Sequence, residues 1–338
     1  MLTLPALHVP QARPSMTAKD RYRPRFWRID PLRSLWALAL LAPLVLLSGC
    51  GSGISFLDPH GPVAATQRDL FFEVTFWMMV VVLPALFLVP FVAWRYRRKA
   101  TRSAYKADWQ FSWGLEIAVW VIPIAIVVML SGLIAGKARS LDPYAPISSS
   151  QPPLDVQVIG LDYKWLFIYP EQKIASLGVM ALPVGRPVRF HLTSDTVMQS
   201  FAIPALGSQI YAMAGMVTQL NLLADRPGVL LGQNTQFNGF GFQAQKFDAL
   251  ALPPADFDHW VTSAREAGRT LDQGAYAIVS QKGELKDLRS RFPFDPVKGL
   301  LFSDLDPNLF SSTVARYRPE AAHRHENNDN KGHAHAGP

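Results

Sequence analysis

Cysteine is almost absent from this sequence of 338 residues, which contains only Cys50. A single thiol excludes an intrachain disulfide and any zinc or iron–sulfur site that needs several cysteines. Charged residues are also scarce, at 17% against about 25% in ordinary globular proteins, while hydrophobic residues make up 49%. This imbalance predicts a membrane-attached chain rather than a freely soluble one.

Positive charge is too unevenly placed to indicate a domain that binds nucleic acid. The net charge is +7, but seven of the 33 basic residues and two of the 26 acidic residues lie in positions 1–49. The rest of the chain carries only +2, whereas a nucleic-acid-binding surface needs a strongly basic domain or stripe. We therefore expect no nucleic-acid partner.

The first 49 residues have the layout of a secretory signal peptide. Several arginines precede an apolar run at residues 35–47, which is too short to cross about 30 Å of hydrocarbon as a helix. The run ends in Leu47-Ser48-Gly49-Cys50, which resembles the lipobox of bacterial lipoproteins. That resemblance implies that Cys50 is lipidated and begins the mature chain. The alternative is an uncleaved anchor in which Cys50 is a buried apolar side chain.

Two later segments, residues 70–94 and 113–135, are long and apolar enough to cross a bilayer. Each contains a single charged residue, Glu73 or Glu116. We expect Glu73 to reach the lipid headgroups. Glu116 lies about one helical turn inside its segment, where a carboxylate must either face protein or water or reach the headgroups. The sequence alone leaves both possibilities open.

The orientation of the two segments follows from the loop between them. Residues 95–112 contain six basic residues against one acidic residue, Asp108, which is typical of a cytoplasmic loop. Both outer ends then lie in the periplasm, as does the preceding segment 50–69. Because lipid would be attached to Cys50 on the outer face of the inner membrane, both signals predict a multi-pass lipoprotein of the bacterial inner membrane.

The periplasmic part begins with a β-prone region at residues 140–255, where short runs separated by Gly, Pro and Asn predict an all-β sandwich or barrel. Residues 256–317 are expected to form a helical arm, with Asp256 as a possible cap. Its apolar residues recur at helical intervals: Phe257, Trp260, Val261 and Ala264. The polar tail at residues 318–338 is expected to be disordered. Its histidines either bind metal or are simply solvated: His323, His325, His333 and His335.

The lipobox, the two spans and the β-domain together resemble subunit II of haem–copper respiratory oxidases, over roughly residues 50–315. This resemblance implies a cupredoxin-like Greek-key barrel. In the members that oxidise cytochrome c, the barrel binds two copper ions through a Thr-Ser-x-Asp-Val-x-His motif and a Cys-Ser-Glu-x-Cys-Gly-x-x-His-x-x-Met loop.

Both of these stretches can be recognised in this sequence, but the copper-ligating residues are replaced. Thr193-Ser-Asp-Thr-Val-Met-Gln199 and Gly232-Gln-Asn234-Thr-Gln236-Phe-Asn238-Gly-Phe-Gly-Phe242-Gln-Ala-Gln245 resemble the two ligand stretches. By this resemblance the former ligand positions hold Gln199, Asn234, Gln236, Asn238, Phe242 and Gln245. A dinuclear copper centre needs bridging thiolates and imidazoles, which amides cannot replace. We therefore expect no copper there.

The runs Trp165-Leu-Phe-Ile-Tyr-Pro-Glu-Gln172 and Pro204-Ala-Leu-Gly-Ser-Gln-Ile-Tyr-Ala-Met-Ala-Gly215 are similar to the quinol-oxidase branch, specifically the ubiquinol-using bo type. This similarity implies a subunit without a cofactor or catalytic residue of its own in a proton-pumping ubiquinol oxidase. Haems and copper would lie in subunit I, with subunits III and IV and membrane lipid as further partners. Cytochrome c would not be a partner.

The same resemblance assigns a role to Glu116. Leu115-Glu116-x-x-x-Trp120-x-x-Pro123 is similar to a motif whose glutamate stands at the mouth of a proton-uptake channel in subunit I. Tyr163 and Trp165 match the aromatic pair that receives electrons in copper-bearing relatives, and without copper we expect them to be core or interface residues. The rival interpretation is a free-standing cupredoxin-like lipoprotein that carries metal on its histidine tail.

Overall fold

The computed structural model describes residues 56–97, 111–295 and 297–318. Within these ranges two long helices are followed by a β-rich domain and three short helices. The signal segment, Cys50 and the histidines of the tail lie outside the described residues, as does most of the predicted cytoplasmic loop.

The two long helices are α1 (Pro62–Arg95) and α2 (Trp113–Ala138), and both are long and apolar enough to cross a membrane. Helix α1 has 34 residues and is about 51 Å long, so it exceeds the hydrocarbon thickness. It begins eight residues before the span expected from the sequence, so residues 62–69 extend the helix beyond that span on its N-terminal side. This first part is helical because buried Ala64 packs on the β-domain and its N–H donates to Leu206 O at 3.2 Å.

The β-domain contains two facing sheets. The strands of the larger sheet are β1 (Leu154–Leu161), β2 (Lys164–Tyr169), β3 (Ile174–Leu177), β5 (Val188–Ser194), β8 (Thr218–Leu222) and β12 (Leu300–Phe302). Those of the smaller are β4 (Val179–Pro183), β6 (Gln199–Ile203), β7 (Gly207–Ala212), β9 (Gly228–Asn234) and β10 (Lys246–Leu252). The larger sheet has the strand order β12-β3-β2-β1-β5-β8, and the smaller has the order β4-β10-β9-β6-β7. Only the β1–β5 and β4–β10 pairs of these sheets are parallel.

An aromatic cluster fills the space between the sheets. Phe201 stacks on Phe247 with ring centroids 5.2 Å apart, and Trp165 meets Phe201 edge-on at 5.3 Å. All three side chains are buried, and such ring pairs stabilise a core beyond their buried area. This architecture agrees with the predicted all-β barrel, and Trp165 is the core residue it was expected to be.

The C-terminal arm is only partly helical, contrary to expectation. It contains α3 (Pro254–Glu266), α4 (Gln273–Val279) and α5 (Leu309–Arg316), but also β12 and the small sheet of β11 (Thr270–Leu271) and β13 (Asp304–Leu305). Strand β12 pairs antiparallel with β3 at the edge of the larger sheet. A three-residue strand is too short to show a period in the sequence, which is why it was missed.

Helix α3 follows its predicted pattern but starts differently. The four apolar residues at helical intervals are all buried. The helix begins at Pro254 after an extended Pro253, so Asp256 lies in the first turn and is not the cap. A proline fits there because the first helical N–H has no partner within the helix. Helices α4 and α5 cover the outer face of β1, β2 and β3 through a second apolar cluster that includes Tyr276, Phe302 and Phe310.

Candidate functional site

The two stretches that resemble copper-ligand motifs meet at one end of the barrel. Gln199 opens β6, Asn234 ends β9, and Gln245 directly precedes β10. Strands β6 and β9 are neighbours, as are β9 and β10, so the three amides converge. Gln199 and Gln245 are fully buried and Asn234 is 4% exposed. We call these three residues together with Asn238 the amide cluster.

Gln245 is the centre of the amide cluster. Its Nε2 donates to Gln199 Oε1 at 2.5 Å and to Leu161 O at 3.1 Å. Its Oε1 accepts from Asn234 Nδ2 at 3.0 Å and from Asn238 Nδ2 at 2.8 Å. A glutamine side chain offers two donors and two acceptor lone pairs, so the hydrogen-bonding capacity of Gln245 is used completely.

The other amides are almost as fully bonded. Gln199 Nε2 donates to Leu161 O at 3.2 Å and to Thr196 Oγ1 at 3.1 Å. Asn234 Oδ1 accepts the backbone N–H groups of Ser200 and Gln236, both at 2.9 Å. Buried polar groups are stable only when they are paired in this way. The cluster therefore joins three segments of chain without a metal ion.

Two of the six positions contribute little to this network. Gln236 takes part through its backbone N–H, whereas Phe242 packs on Phe237 with ring centroids 5.8 Å apart. Phe242 contributes an apolar side chain to the loop, and its backbone carbonyl accepts the N–H of Gln245 at 3.2 Å.

Two glycines allow the backbone to lie directly against the amide cluster and against the ring of Tyr163. A Cβ on Gly160 would lie 2.4 Å from Gln199 Oε1, and one on Gly241 would lie 2.1 Å from the Tyr163 ring. Glycine is thus required at both positions. Tyr163, 7% exposed, lies beneath the loop, which agrees with the expected packing role.

The donor set does not fit a dinuclear copper centre. The cluster offers amide nitrogen and oxygen atoms, and its donors already bind carbonyls. One buried atom, Asn238 Oδ1, has no partner, but a lone amide oxygen is a hard ligand unsuited to copper bridged by thiolates. Among the described residues, no group of three or more His, Cys, Asp or Glu side chains could hold a metal ion.

Glu116 lies in the first turn of α2, where its carboxylate accepts a hydrogen bond from Trp120 Nε1 at 3.2 Å. The two residues are one turn apart, so they share a face of the helix. The partial positive charge of a helix N-terminus favours a carboxylate there. The side chain is otherwise exposed on the isolated chain.

Sequence reasoning missed an ion pair at the opposite end of the two long helices. Lys137 Nζ lies 3.1 Å from Glu73 Oε2, so the Glu73 carboxylate has a cationic partner on the other long helix. Lys137 lies just beyond the predicted second span. The pairing of residues so far apart in sequence has no local signal.

Lys164 is a second residue that the sequence did not single out. It is 3% exposed, and its Nζ donates to the carbonyls of Asp162, Gln281 and Gly283 at 2.7–3.0 Å. Burial lowers the pKa of Lys164 to about 8, although the carboxylates of Asp287 and Asp162 act in the opposite direction.

Comparison with known proteins identifies close relatives. The family described as cytochrome c oxidase subunit II, periplasmic domain, matches residues 156–246. The chain is 37% identical to the cytochrome bo(3) ubiquinol oxidase subunit 2 of Pseudomonas aeruginosa over 91% of its own length and 87% of the relative. It is 39% identical to the ubiquinol oxidase subunit 2 of Acetobacter aceti over 82% of its length and 86% of the relative.

A further relative, matched over less of the chain, is the quinol oxidase subunit 2 of Bacillus subtilis, at 37% identity over 72% of this chain and 77% of that protein. Among solved structures, the periplasmic domain of subunit II of cytochrome oxidase from Bradyrhizobium japonicum aligns at 21% identity with a TM-score of 0.34. That alignment covers 35% of this chain and 98% of the other.

Proposed function

Because the chain belongs to the family of quinol oxidase subunits 2, we propose that it is a non-catalytic subunit II of a proton-pumping ubiquinol oxidase. In this proposal it lies in the inner membrane with its β-domain in the periplasm and assembles with subunits I, III and IV. Ubiquinol is oxidised and oxygen reduced in subunit I, which holds the haems and copper. The chain braces that subunit and supplies a carboxylate for proton uptake.

The amide cluster is the observation that carries this proposal. Four paired amides occupy the place that the copper-bearing branch uses to receive electrons from a soluble protein. Their chemistry offers no thiolate or imidazole to hold copper. Electrons must then reach the oxygen site without passing through this chain, and a membrane-dissolved quinol is a donor that can do so.

Copper loading tests this point. We expect the purified chain ending at Arg318, which lacks the histidine tail, to retain no stoichiometric copper after dialysis and to show no near-infrared absorption of a mixed-valence copper pair. The full-length chain is the control, because weak copper binding by that chain alone belongs to the tail. One tightly held dinuclear centre in the truncated chain would contradict the proposal.

The proton role of Glu116 rests on its position and chemistry. It is an ionisable residue inside a span, where such residues most often serve proton or ion pathways. Its hydrogen bond with Trp120 fixes the carboxylate on one helix face. We therefore place Glu116 at the mouth of a proton-uptake channel in the neighbouring subunit.

The position of Phe56, the first described residue after Cys50, supports the proposal that Cys50 carries a lipid. Phe56 packs edge-on against Phe71, with ring centroids 5.3 Å apart, beside the start of the apolar part of α1. Phe56 lies six positions after Cys50, a distance of at most about 21 Å along an extended chain. An acyl chain on Cys50 can thus enter the outer leaflet. Mass spectrometry of the mature protein should find an acylated Cys50 with nothing before it, and a retained segment 1–49 would contradict this.

The free-standing metal carrier is the less favoured function. A carrier needs only a lipid or one anchoring helix, whereas this chain has two spans joined by the Glu73–Lys137 ion pair. Relatives over most of the chain are oxidase subunits.

A further inference from the structure

Three residues of the C-terminal arm converge on Asp195, which is 7% exposed in the loop between β5 and β6. Arg316 Nη1 lies 2.7 and 2.8 Å from the two carboxylate oxygens, and Tyr276 Oη donates to Asp195 Oδ2 at 2.7 Å. Tyr317 Oη donates to the backbone carbonyl of Asp195 at 2.5 Å. A buried carboxylate is stable only when it is paired and hydrogen-bonded in this manner.

The same arm holds the neighbouring loop between β7 and β8. Arg318 Nε donates to Gly215 O at 2.7 Å. Gly215 has φ +74°, and a Cβ there would lie 3.1 Å from both Cβ and O of Tyr317. The end of the arm therefore packs directly on this turn, and the close approach favours glycine.

A third attachment joins the arm to the turn between β1 and β2. Lys164, at the start of β2, donates to two carbonyls of the arm, those of Gln281 and Gly283, at 2.8 and 2.7 Å. Gly283 N–H donates in return to Asp162 O at 3.1 Å. An ammonium group with three carbonyl acceptors uses all its donors.

Two of the held segments supply the frame of the amide cluster. Leu161 O, at the end of β1 directly before the β1–β2 turn, accepts from both Gln199 and Gln245. The loop that contains Asp195 supplies Thr196 Oγ1 to Gln199, and Asp195 N–H donates to Gly160 O at 2.9 Å. The arm thus binds the residues next to the two acceptors of the cluster: Asp162 follows Leu161, and Asp195 precedes Thr196.

We propose that residues 273–318 form a clamp that holds the β5–β6 loop, the β7–β8 loop and the β1–β2 turn in the arrangement the amide cluster requires. Asp195 is the principal point of attachment and Arg316 its principal partner. The cluster joins the loops from the inside and the arm joins them from the outside. Arg316, Tyr276 and Tyr317 are positioning residues in this arrangement.

Hydrogen exchange on the purified full-length chain within its complex tests the clamp. Arg316→Ala leaves a buried carboxylate with one side-chain donor, so amide exchange in residues 194–200 and 234–245 should become about tenfold faster. Arg265→Ala is the control, because Arg265 lies on α3 outside the clamp and donates to the backbone carbonyl of Gln172 at 3.3 Å rather than to a carboxylate. Exchange in the two cluster segments should be unchanged in this control.

The pattern of exchange separates a clamp from general stabilisation. A uniform increase throughout the β-domain, or unchanged exchange at residues 234–245, would overturn the proposal. If Arg316→Ala does not assemble, Tyr276→Phe removes a single hydrogen bond to Asp195 and should speed exchange in the same segments to a smaller extent. No quinol or metal enters the measurement, so its outcome is independent of the proposed oxidase role.

Discussion

Amide side chains can replace a metal as a cross-link because each combines donors and acceptors within one rigid plane. Gln245 uses two donors and two acceptors to join Gln199, Asn234, Asn238 and the Leu161 carbonyl. Removing one member leaves several buried groups unpaired at once. The cost of such a loss exceeds that of a single surface hydrogen bond.

Gln245→Ala should therefore destabilise the chain strongly. We expect the free energy of unfolding to fall by about 2 kcal/mol or more, because the unpaired groups remain buried. The thermal denaturation midpoint of this subunit should fall by about 4–8 °C. Gln243→Ala is the control, because Gln243 is exposed and two residues away. Equal midpoints for the two variants would show that the amide cluster contributes nothing to stability.

Glu116→Gln should lower turnover while leaving assembly intact. Glutamine keeps the volume and the hydrogen-bonding reach of glutamate but cannot exchange protons, and we expect a loss of about tenfold or more. Glu116→Asp should recover part of the rate. Trp120→Phe removes only the indole donor and should retain most of the activity. Full turnover in a Gln variant with normal haem content would mean that Glu116 has no proton role.

Lys164 should make stability depend on pH in the alkaline range. Its pKa of about 8 in the folded chain lies below the usual value of about 10.4 in an unfolded chain. Between these values the unfolded chain binds more protons, so the stability linked to Lys164 rises as the pH increases through this window. The thermal denaturation midpoints of the native chain and of Lys164→Met should be measured at several pH values. The midpoint of the native chain minus that of the variant should increase from pH 7 to pH 10. A constant difference would show that the ammonium group is not desolvated.

At the scale of helices and strands, long segments with a clear hydrophobic pattern could be predicted, whereas elements fixed by distant contacts could not. Both spans are visible in the sequence as long apolar runs, and the buried face of α3 is visible as apolar residues at helical intervals. The first two turns of α1, Pro62 to Asp69, are not continuously apolar, and their helicity depends on the packing of Ala64 against the β7 end of the barrel. Strand β12 exists only because β3 offers an open edge.

The candidate site shows the same division. The positions of the amide cluster could be predicted from the two stretches that resemble copper-ligand motifs, because the spacing of those motifs is kept in this sequence. The convergence of Tyr276 and Arg316 on Asp195 could not, because 81 and 121 residues separate these partners from Asp195. No local pattern encodes such a pairing.

The Glu73–Lys137 ion pair should couple α1 to α2 at their periplasmic ends. Glu73→Gln and Lys137→Gln should each lower the yield of assembled complex and its denaturation midpoint, because each leaves one charge without its partner. The double variant should be no worse than the more affected single variant, since both charges are gone. Purely additive losses in this double-mutant cycle would show that the two side chains act independently.

At the scale of the whole molecule, the chain combines a membrane hairpin, a barrel and an arm. In the function proposed above, the hairpin contacts the membrane core of the enzyme and places Glu116 at the cytoplasmic side. The barrel is similar to the periplasmic domain of cytochrome c oxidase subunit II, but its loops are joined by amides, and the proposed clamp holds them from the outside. In that proposal the subunit supports proton uptake and assembly while electrons enter elsewhere.

The choice of electron donor tests this account most directly. A complex purified through a tag on this chain should reduce oxygen with ubiquinol as the donor and should show no oxygen consumption above background with reduced cytochrome c. The two donors are compared in the same preparation, so that loss of activity cannot be mistaken for selectivity. Rapid oxidation of cytochrome c by a complex in which this chain is the only subunit II would contradict the assignment.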